Sequence, residues 1–307
     1  MTQSSYGFVR WDQYLALPDQ EETWILEPLV PSGGLVNLYG KPKQGKSLLA
    51  LGMALAIGNP TQAEWLGFPV HRHGPVAYFQ ADTPRSIWKG NHLKHVAAAG
   101  YTGDVWMSDP YLMPYPFDIM EPGNVETLQG MIQALPFQPL VVIVDTIREI
   151  HSLDENSSTE MRKVFGALRV AADPAAIVLI GHSKKSHSED TQSSPDESGH
   201  AEDVMEEGRG SGYLAGKMDT VMKLTRCYLH YHGRATGRER RRIQQNSCYL
   251  WELADTPAMK GARELVTQHE SSSTRTLAKA LATQLRISPE AARSTIRRQR
   301  HGTRVAG

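Results

Sequence analysis

Only two cysteines, Cys227 and Cys248, occur in the 307 residues, and they form no C-x-x-C pair. This excludes a disulfide framework and a cysteine-based zinc site. No apolar run approaches membrane-spanning length, and the opening stretch MTQSSYGFVRWDQY has no apolar signal region. The expectation is a soluble cytoplasmic protein with no membrane partner. Net charge is lacking too, since 33 Lys and Arg balance 33 Asp and Glu. No global basic field announces nucleic acid, so any such role must come from local clusters. The hydrophobic content, 40%, suffices for one large core and a small appendage.

The most informative stretch is LYGKPKQGKSLLALGMALAIG, residues 38–58, with the spacing G-x-x-x-x-G-K-S. A buried strand precedes it (GGLVNLY), and an apolar helical face follows until Gly58. A loop between strand and helix N-terminus turns backbone N–H groups inward, and the helix dipole adds positive potential. Gly40, Lys41, Pro42, Lys43, Gln44, Gly45, Lys46, Ser47 and Leu48 would then cradle the phosphates of a nucleotide. Lys46 would reach the β- and γ-phosphates, and the Ser47 hydroxyl would ligate Mg²⁺. The competing reading is a glycine-bearing turn that matches by chance.

Strands and helices alternate beyond this point. GPVAYFQAD (74–82), LVVIVDT (140–146) and AAIVLIGHS (175–183) read as strands, the last two apolar enough to be covered on both faces. TPRSIWKGNHLKHVAAAG and SSTEMRKVFGALRVAA read as helices. The pattern predicts an α/β fold with a mostly parallel sheet flanked by helices. Residues 186–208 hold eight acidic residues and no Lys or Arg, and read as a mobile loop. TVMKLTRCYLHYHGR and SCYLWELAD read as a C-terminal hairpin, with GRERRRIQQ as the basic turn between them.

The strand ends carry the candidate chemistry. Asp145 closes the most apolar strand, where a carboxylate can hold the Mg²⁺ shell or simply shape a turn. Asp82 closes another, as the base for an attacking water or as N-cap of the helix beginning at Pro84. His182 ends a third, as a γ-phosphate sensor or a satisfied polar group. Lys184 and Lys185 follow it, near phosphate or in solvent.

In this order, GKPKQGKS, VAYFQAD, VVIVDTIREIHSLDENSS, IVLIGHSKK and GRGSGYLAGKMDTVMKL resemble the motifs of RecA-type ring ATPases. The likeness is greatest to plasmid-replication hexameric helicases of the RepA kind. It spans roughly residues 25 to 225 and implies a RecA-like fold, ATP with Mg²⁺, and nucleotide sites between subunits of a homo-oligomeric ring, a hexamer. It gives Lys46 and Ser47 the phosphate and metal roles, Asp145 the second metal carboxylate, and His182 the sensor role. The family usually has Glu at the position of Asp82. Arg209 matches an arginine placed near a neighbour's nucleotide or near DNA, and Arg234 is the competing arginine finger; for either, the plain alternative is a surface ion pair.

Residues 271–307 hold eight Lys or Arg against one Glu. Two short amphipathic patterns, the second opening at Ser288 with Arg293, Arg297, Arg298 and Arg300, suit a helix-turn-helix on DNA or a basic tail on a partner protein. The organisation expected is an adaptor over 1–30, a RecA-like ATPase domain over 31–260, and a helix-turn-helix-like tail over 261–307. The function expected is an ATP-hydrolysing ring motor on DNA, a helicase in phage or plasmid replication or recombination. The alternative is an ATP-switched DNA-binding or loading protein.

Overall fold

The computed structural model describes residues 9–16, 24–108, 116–182, 216–234 and 236–254, with 261–262, 265–266, 268–269, 272–285, 288–290, 292–293 and 295–296. Two compact units meet in sequence between Trp251 and Glu252.

The first unit opens with an exposed helix, α1 (Trp11–Leu15), and an antiparallel ribbon of β1 (Trp24–Leu26) and β2 (Val30–Pro31). β3 (Leu35–Gly40) is buried at every position and leads through the loop 41–45 into α2 (Lys46–Gly58). A small hairpin of β4 (Glu64–Trp65) and β5 (Phe68–Pro69) precedes β6 (Val76–Gln80). The helical run after β6 is α3 (Arg85–Trp88), a π turn over Lys89–Leu93, and α4 (Lys94–Ala98). Then come β7 (Val105–Met107), α5 (Asn124–Gln133), β8 (Val141–Asp145), α6 (Ser158–Ala172) and β9 (Ala176–His182). The last strands are β10 (Thr220–Leu224), β11 (Tyr228–Gly233), β12 (Thr236–Gln245) and β13 (Trp251–Leu253).

One nine-stranded sheet runs β13-β12-β11-β10-β3-β9-β8-β6-β7. The pairs from β10 to β7 are parallel, and β11 joins β10 and β12 antiparallel. This is the α/β architecture with a mostly parallel sheet expected above. The apolar runs of β3, β8 and β9 follow from cover on both faces. On one face, α6 lays Met161, Val164, Phe165 and Leu168 over Val142, Val144, Ile177 and Leu179. Their spacing is one stripe of a helix, and each such side chain contributes roughly 1.5–3 kcal/mol by leaving water. Ser157 starts α6, its hydroxyl accepting from the Glu160 N–H at 3.3 Å.

Two expectations about local structure need correction. GRERRRIQQ is no turn; it lies within the ten-residue strand β12. β10 and β11 already form a hairpin with each other, so the basic segment pairs with β11 as the next strand. Its charged side chains are tolerated because most are exposed, Ile243 is buried, and Arg241 lays its guanidinium 3.4 Å from the Phe68 ring centroid. The helix after β6 starts only at Arg85, with Pro84 outside it, and is interrupted by the π turn.

In the second unit, α7 (Thr274–Leu285) contributes Leu277, Ala278 and Leu281 to a small core with Ala262, Val266, Ala292 and Ile296. Arg293 is exposed. Arg297, Arg298 and Arg300 lie outside the described residues.

Candidate functional site

Parallel strands deliver their carboxyl ends to one edge of the sheet, and the functional side chains collect there. Gly40 of β3 pairs in register with His182 of β9, and Gln80 of β6 with Asp145 of β8. The loop 41–45 leaves β3 at this edge and returns as α2, whose N-terminal N–H groups face the same space. Its shape needs glycine at both ends. A Cβ on Gly40 would stand 2.6 Å from the Leu224 carbonyl oxygen, and Gly45 has φ +83° with Gln245 Nε2 2.9 Å from where a Cβ would be. Inside the loop, the Lys41 N–H donates to Gln44 Oε1 at 2.8 Å.

The loop is also held from outside. The indole N–H of Trp251, in β13, donates to the Gly45 carbonyl at 3.0 Å. The β12–β13 turn is itself ordered by Asn246, whose Oδ1 accepts the N–H groups of Cys248 and Leu250 at 3.1 Å each. No local pattern announces Trp251 as a partner of the phosphate loop, because the two meet only through the sheet.

Lys46 is buried, and its Nζ donates to the Gly40 and Lys41 carbonyls at 3.1 and 3.0 Å. It also lies 3.3 Å from His182 Nδ1. Burial lowers the pKa of this ammonium, while the carboxylates of Asp145 and then Asp82 pull it back up.

Asp145 is fully buried, and its Oδ2 accepts the Tyr78 hydroxyl at 2.8 Å. Burial raises its pKa to about 6, against the lowering effect of the Ser47 and Tyr78 hydroxyls; Asp82 adds to the rise and Lys46 opposes it. The Tyr78 pKa is driven well above its ordinary value by burial and then by Asp145, so the phenol stays a donor. Tyr78 escaped the reading of the sequence, although a tyrosine inside an apolar strand signals a buried hydroxyl that needs a partner. Gln80 escaped it as well. Its Oε1 accepts the N–H groups of Asp82 and Thr83 at 2.7 and 3.0 Å, fixing the turn after β6.

Asp82 is held by this turn, its N–H also meeting the Asp145 carbonyl at 3.2 Å. Its carboxylate does not cap α3, whose N-cap is Pro84 with no side-chain bond. It acts instead on the charges of Lys46 and Asp145. Arg234 stands elsewhere. It follows β11 and its Nε lies 3.5 Å from Asp219 Oδ1, just before Thr220, which pairs with Val36 at the start of β3. The structure therefore does not bring Arg234 to the phosphate loop of its own chain. Arg209, Lys184, Lys185 and the acidic segment 186–208 lie outside the described residues.

A family model described as an AAA domain matches residues 2–188. The chain belongs to this AAA-domain family. It is a P-loop NTPase, and such proteins generally bind ATP with Mg²⁺. The site of this AAA domain fits a hard cation on an observation of its own. Asp145 Oδ1 is buried and accepts no hydrogen bond, a state that costs about 1–3 kcal/mol unless another group meets the oxygen. A hydroxyl and a carboxylate suit Mg²⁺, which keeps much of its water and takes few protein ligands. Among the described residues no group of three or more His, Cys, Asp and Glu could hold a metal, and no helix is long and apolar enough to cross a membrane.

Proposed function

We propose that this AAA-domain NTPase hydrolyses ATP with Mg²⁺ and uses the cycle to act on DNA as a self-assembling hexameric ring, a helicase-type motor of phage or plasmid replication or recombination. The observation that carries the reading is the convergence of Lys46, at the start of α2, with Asp145 and His182, at the ends of β8 and β9, Lys46 Nζ lying 3.3 Å from His182 Nδ1. A lysine that donates to loop carbonyls can exchange those acceptors for phosphate oxygens at small cost, and His182 beside it senses the exchange. Ser47 and Asp145 would hold Mg²⁺, which when bound neutralises charge on the β- and γ-phosphate oxygens. Asp82, free of any capping role, is the carboxylate that would accept the proton of the attacking water. Arg234, exposed and remote from its own phosphate loop, would serve a neighbouring subunit's site, with Arg209 as the other candidate.

The DNA part of the reading is supported by the ordered resemblance to hexameric helicases and by the basic composition of residues 271–307. On this view residues 31–260 are the ATPase domain, and 261–307 a helix-turn-helix-like tail that meets DNA. The test is ATP turnover with no DNA, with single-stranded DNA and with duplex DNA, alongside strand displacement on a forked substrate. DNA-stimulated turnover with displacement is expected. Nucleotide-dependent DNA binding without displacement would leave an ATP-switched loader, and turnover indifferent to DNA with no DNA binding would refute the DNA role.

A further inference from the structure

The register of the last antiparallel strands gathers positive charge on one face. Lys223 of β10 lies opposite His230 of β11, and His230 lies opposite Arg240 of β12. Tyr228 lies opposite Arg242 in the adjoining row. Directly opposed residues share a face, and so do residues two apart on one strand. Lys223, Tyr228, His230, Arg240 and Arg242 therefore stand together, Arg240 and Arg242 exposed and the other three half-buried.

The opposite face of the same strands is built differently. Leu229, Tyr231 and Ile243 are buried there, Phe68 meets Tyr231 edge-on with centroids 5.1 Å apart, and Arg241 covers Phe68. Glu239, the only carboxylate of β12, turns to that side and bonds the Tyr231 hydroxyl. Among the described residues, neither Arg240 nor Arg242 has a carboxylate partner.

Opposed like charges weaken strand pairing, and the row feels this repulsion: the His230 pKa is lowered by burial, and further by Lys223 and Arg240. An anion laid across the row would relieve it. The row also has an aromatic centre, with Arg240 Cζ 4.8 Å from the Tyr228 ring centroid and the Tyr228 and His230 rings 5.9 Å apart. A sheet face with cations in rows and rings between them matches what single-stranded nucleic acid demands: charges that follow the backbone, and flat groups on which bases stack. A compact anion would use the charges and leave the rings idle.

We propose that the face formed by Lys223, Tyr228, His230, Arg240 and Arg242 is a docking surface for single-stranded nucleic acid. Phosphates lie on Arg240, Arg242 and Lys223, and a base stacks on Tyr228. The inference rests on the reading of the chain as DNA-acting and assigns that contact to β10–β12 rather than to the C-terminal tail.

The test uses the full chain and a fluorescently labelled oligothymidylate, titrated between about 0.05 and 0.2 M salt. The double variant Arg240→Ala/Arg242→Ala should bind at least about tenfold more weakly, and its slope of log K against log salt should fall in magnitude by about 1.4, the counterion release of two phosphate contacts on a single strand. Arg240→Lys/Arg242→Lys should keep the salt slope, and Tyr228→Leu should weaken binding while leaving the slope unchanged. Turnover without DNA should be retained in all three, which reports an intact fold. Unchanged affinity and slope in the double Ala variant, with binding lost instead in Arg293→Ala/Arg297→Ala, would overturn the assignment and leave the DNA role standing. Unchanged oligonucleotide affinity with lost turnover in the double Ala variant would also overturn it, since the arginines would then serve a nucleotide site. No binding by the wild-type chain to any DNA would overturn the functional reading and this surface with it.

Discussion

Asp145→Asn keeps the shape of a fully buried side chain and removes its charge. The asparagine carbonyl can accept the Tyr78 hydroxyl as Oδ2 does, and the amide nitrogen takes the place of the partnerless Oδ1. Burial displaces the carboxyl pKa from 3.8 to about 6, which at roughly 1.4 kcal/mol per pH unit amounts to about 3 kcal/mol. The folded protein holds this proton more tightly than the unfolded chain does. Raising the pH from about 4 to about 6 therefore costs the wild type stability, and the cost is complete above that window. The variant has no such titration. It should melt higher than the wild type at pH 8, on the order of 5 °C, since the displacement to about 6 already includes the opposing attraction of Lys46, and the gap should close as the pH falls toward 4. The assay is thermal unfolding in EDTA without nucleotide across this pH range, paired with phosphate release in Mg²⁺, where the variant should be inactive. A variant less stable than the wild type at pH 8, or a gap that does not change with pH, would refute the reasoning.

The other predictions concern neighbours of that carboxylate. Lys46→Ala should lower turnover by at least about 100-fold, read by phosphate release; normal turnover would remove the phosphate-loop assignment. Asp82→Asn should bind ATP as the wild type does and hydrolyse it far more slowly, and a parental rate would leave Asp82 an electrostatic neighbour only. Trp251→Phe keeps a ring and deletes the N–H that holds the Gly45 carbonyl, about 0.5–1.5 kcal/mol; calorimetry should show several-fold weaker nucleotide binding with little change in kcat, and unaltered affinity would refute the clamp. Arg234→Ala subunits should regain activity when co-assembled with Lys46→Ala subunits, and mixed rings that stay inactive would refute a site shared between neighbours through Arg234.

The parts of this protein legible in its sequence are those dictated by local physics. The uninterrupted apolar runs ending at Asp145 and His182 could only be strands covered on both faces, and the phosphate loop was readable because its glycines, lysine and serine meet backbone demands within eight residues, 40–47. Convergence of Lys46, Asp145 and His182 followed from parallel strands sharing one edge. β12 was misread because its Arg side chains hide a strand's alternation: charge dominates the pattern, while exposure on one face and stacking of Arg241 on Phe68 make it a stable strand. Trp251 was unreadable for a different reason. Its partner Gly45 is far away in sequence, and the contact exists only because β13 lies at the end of a row of strands that doubles back on the loop.

The position of β3 has a practical consequence. The family match ends at residue 188, yet the strand that carries the phosphate loop is bonded on one side by β10, residues Thr220–Leu224. A fragment cut at the end of the match would expose five consecutive positions of β3, from Val36 to Gly40, as a bare apolar sheet edge. Such an edge is a template for adding strands from other chains, and a fragment of this kind would tend to precipitate or pair with itself. The segment beyond 188 thus serves as the sheet's own edge guard, and the smallest soluble piece that retains the loop must reach at least through Leu224.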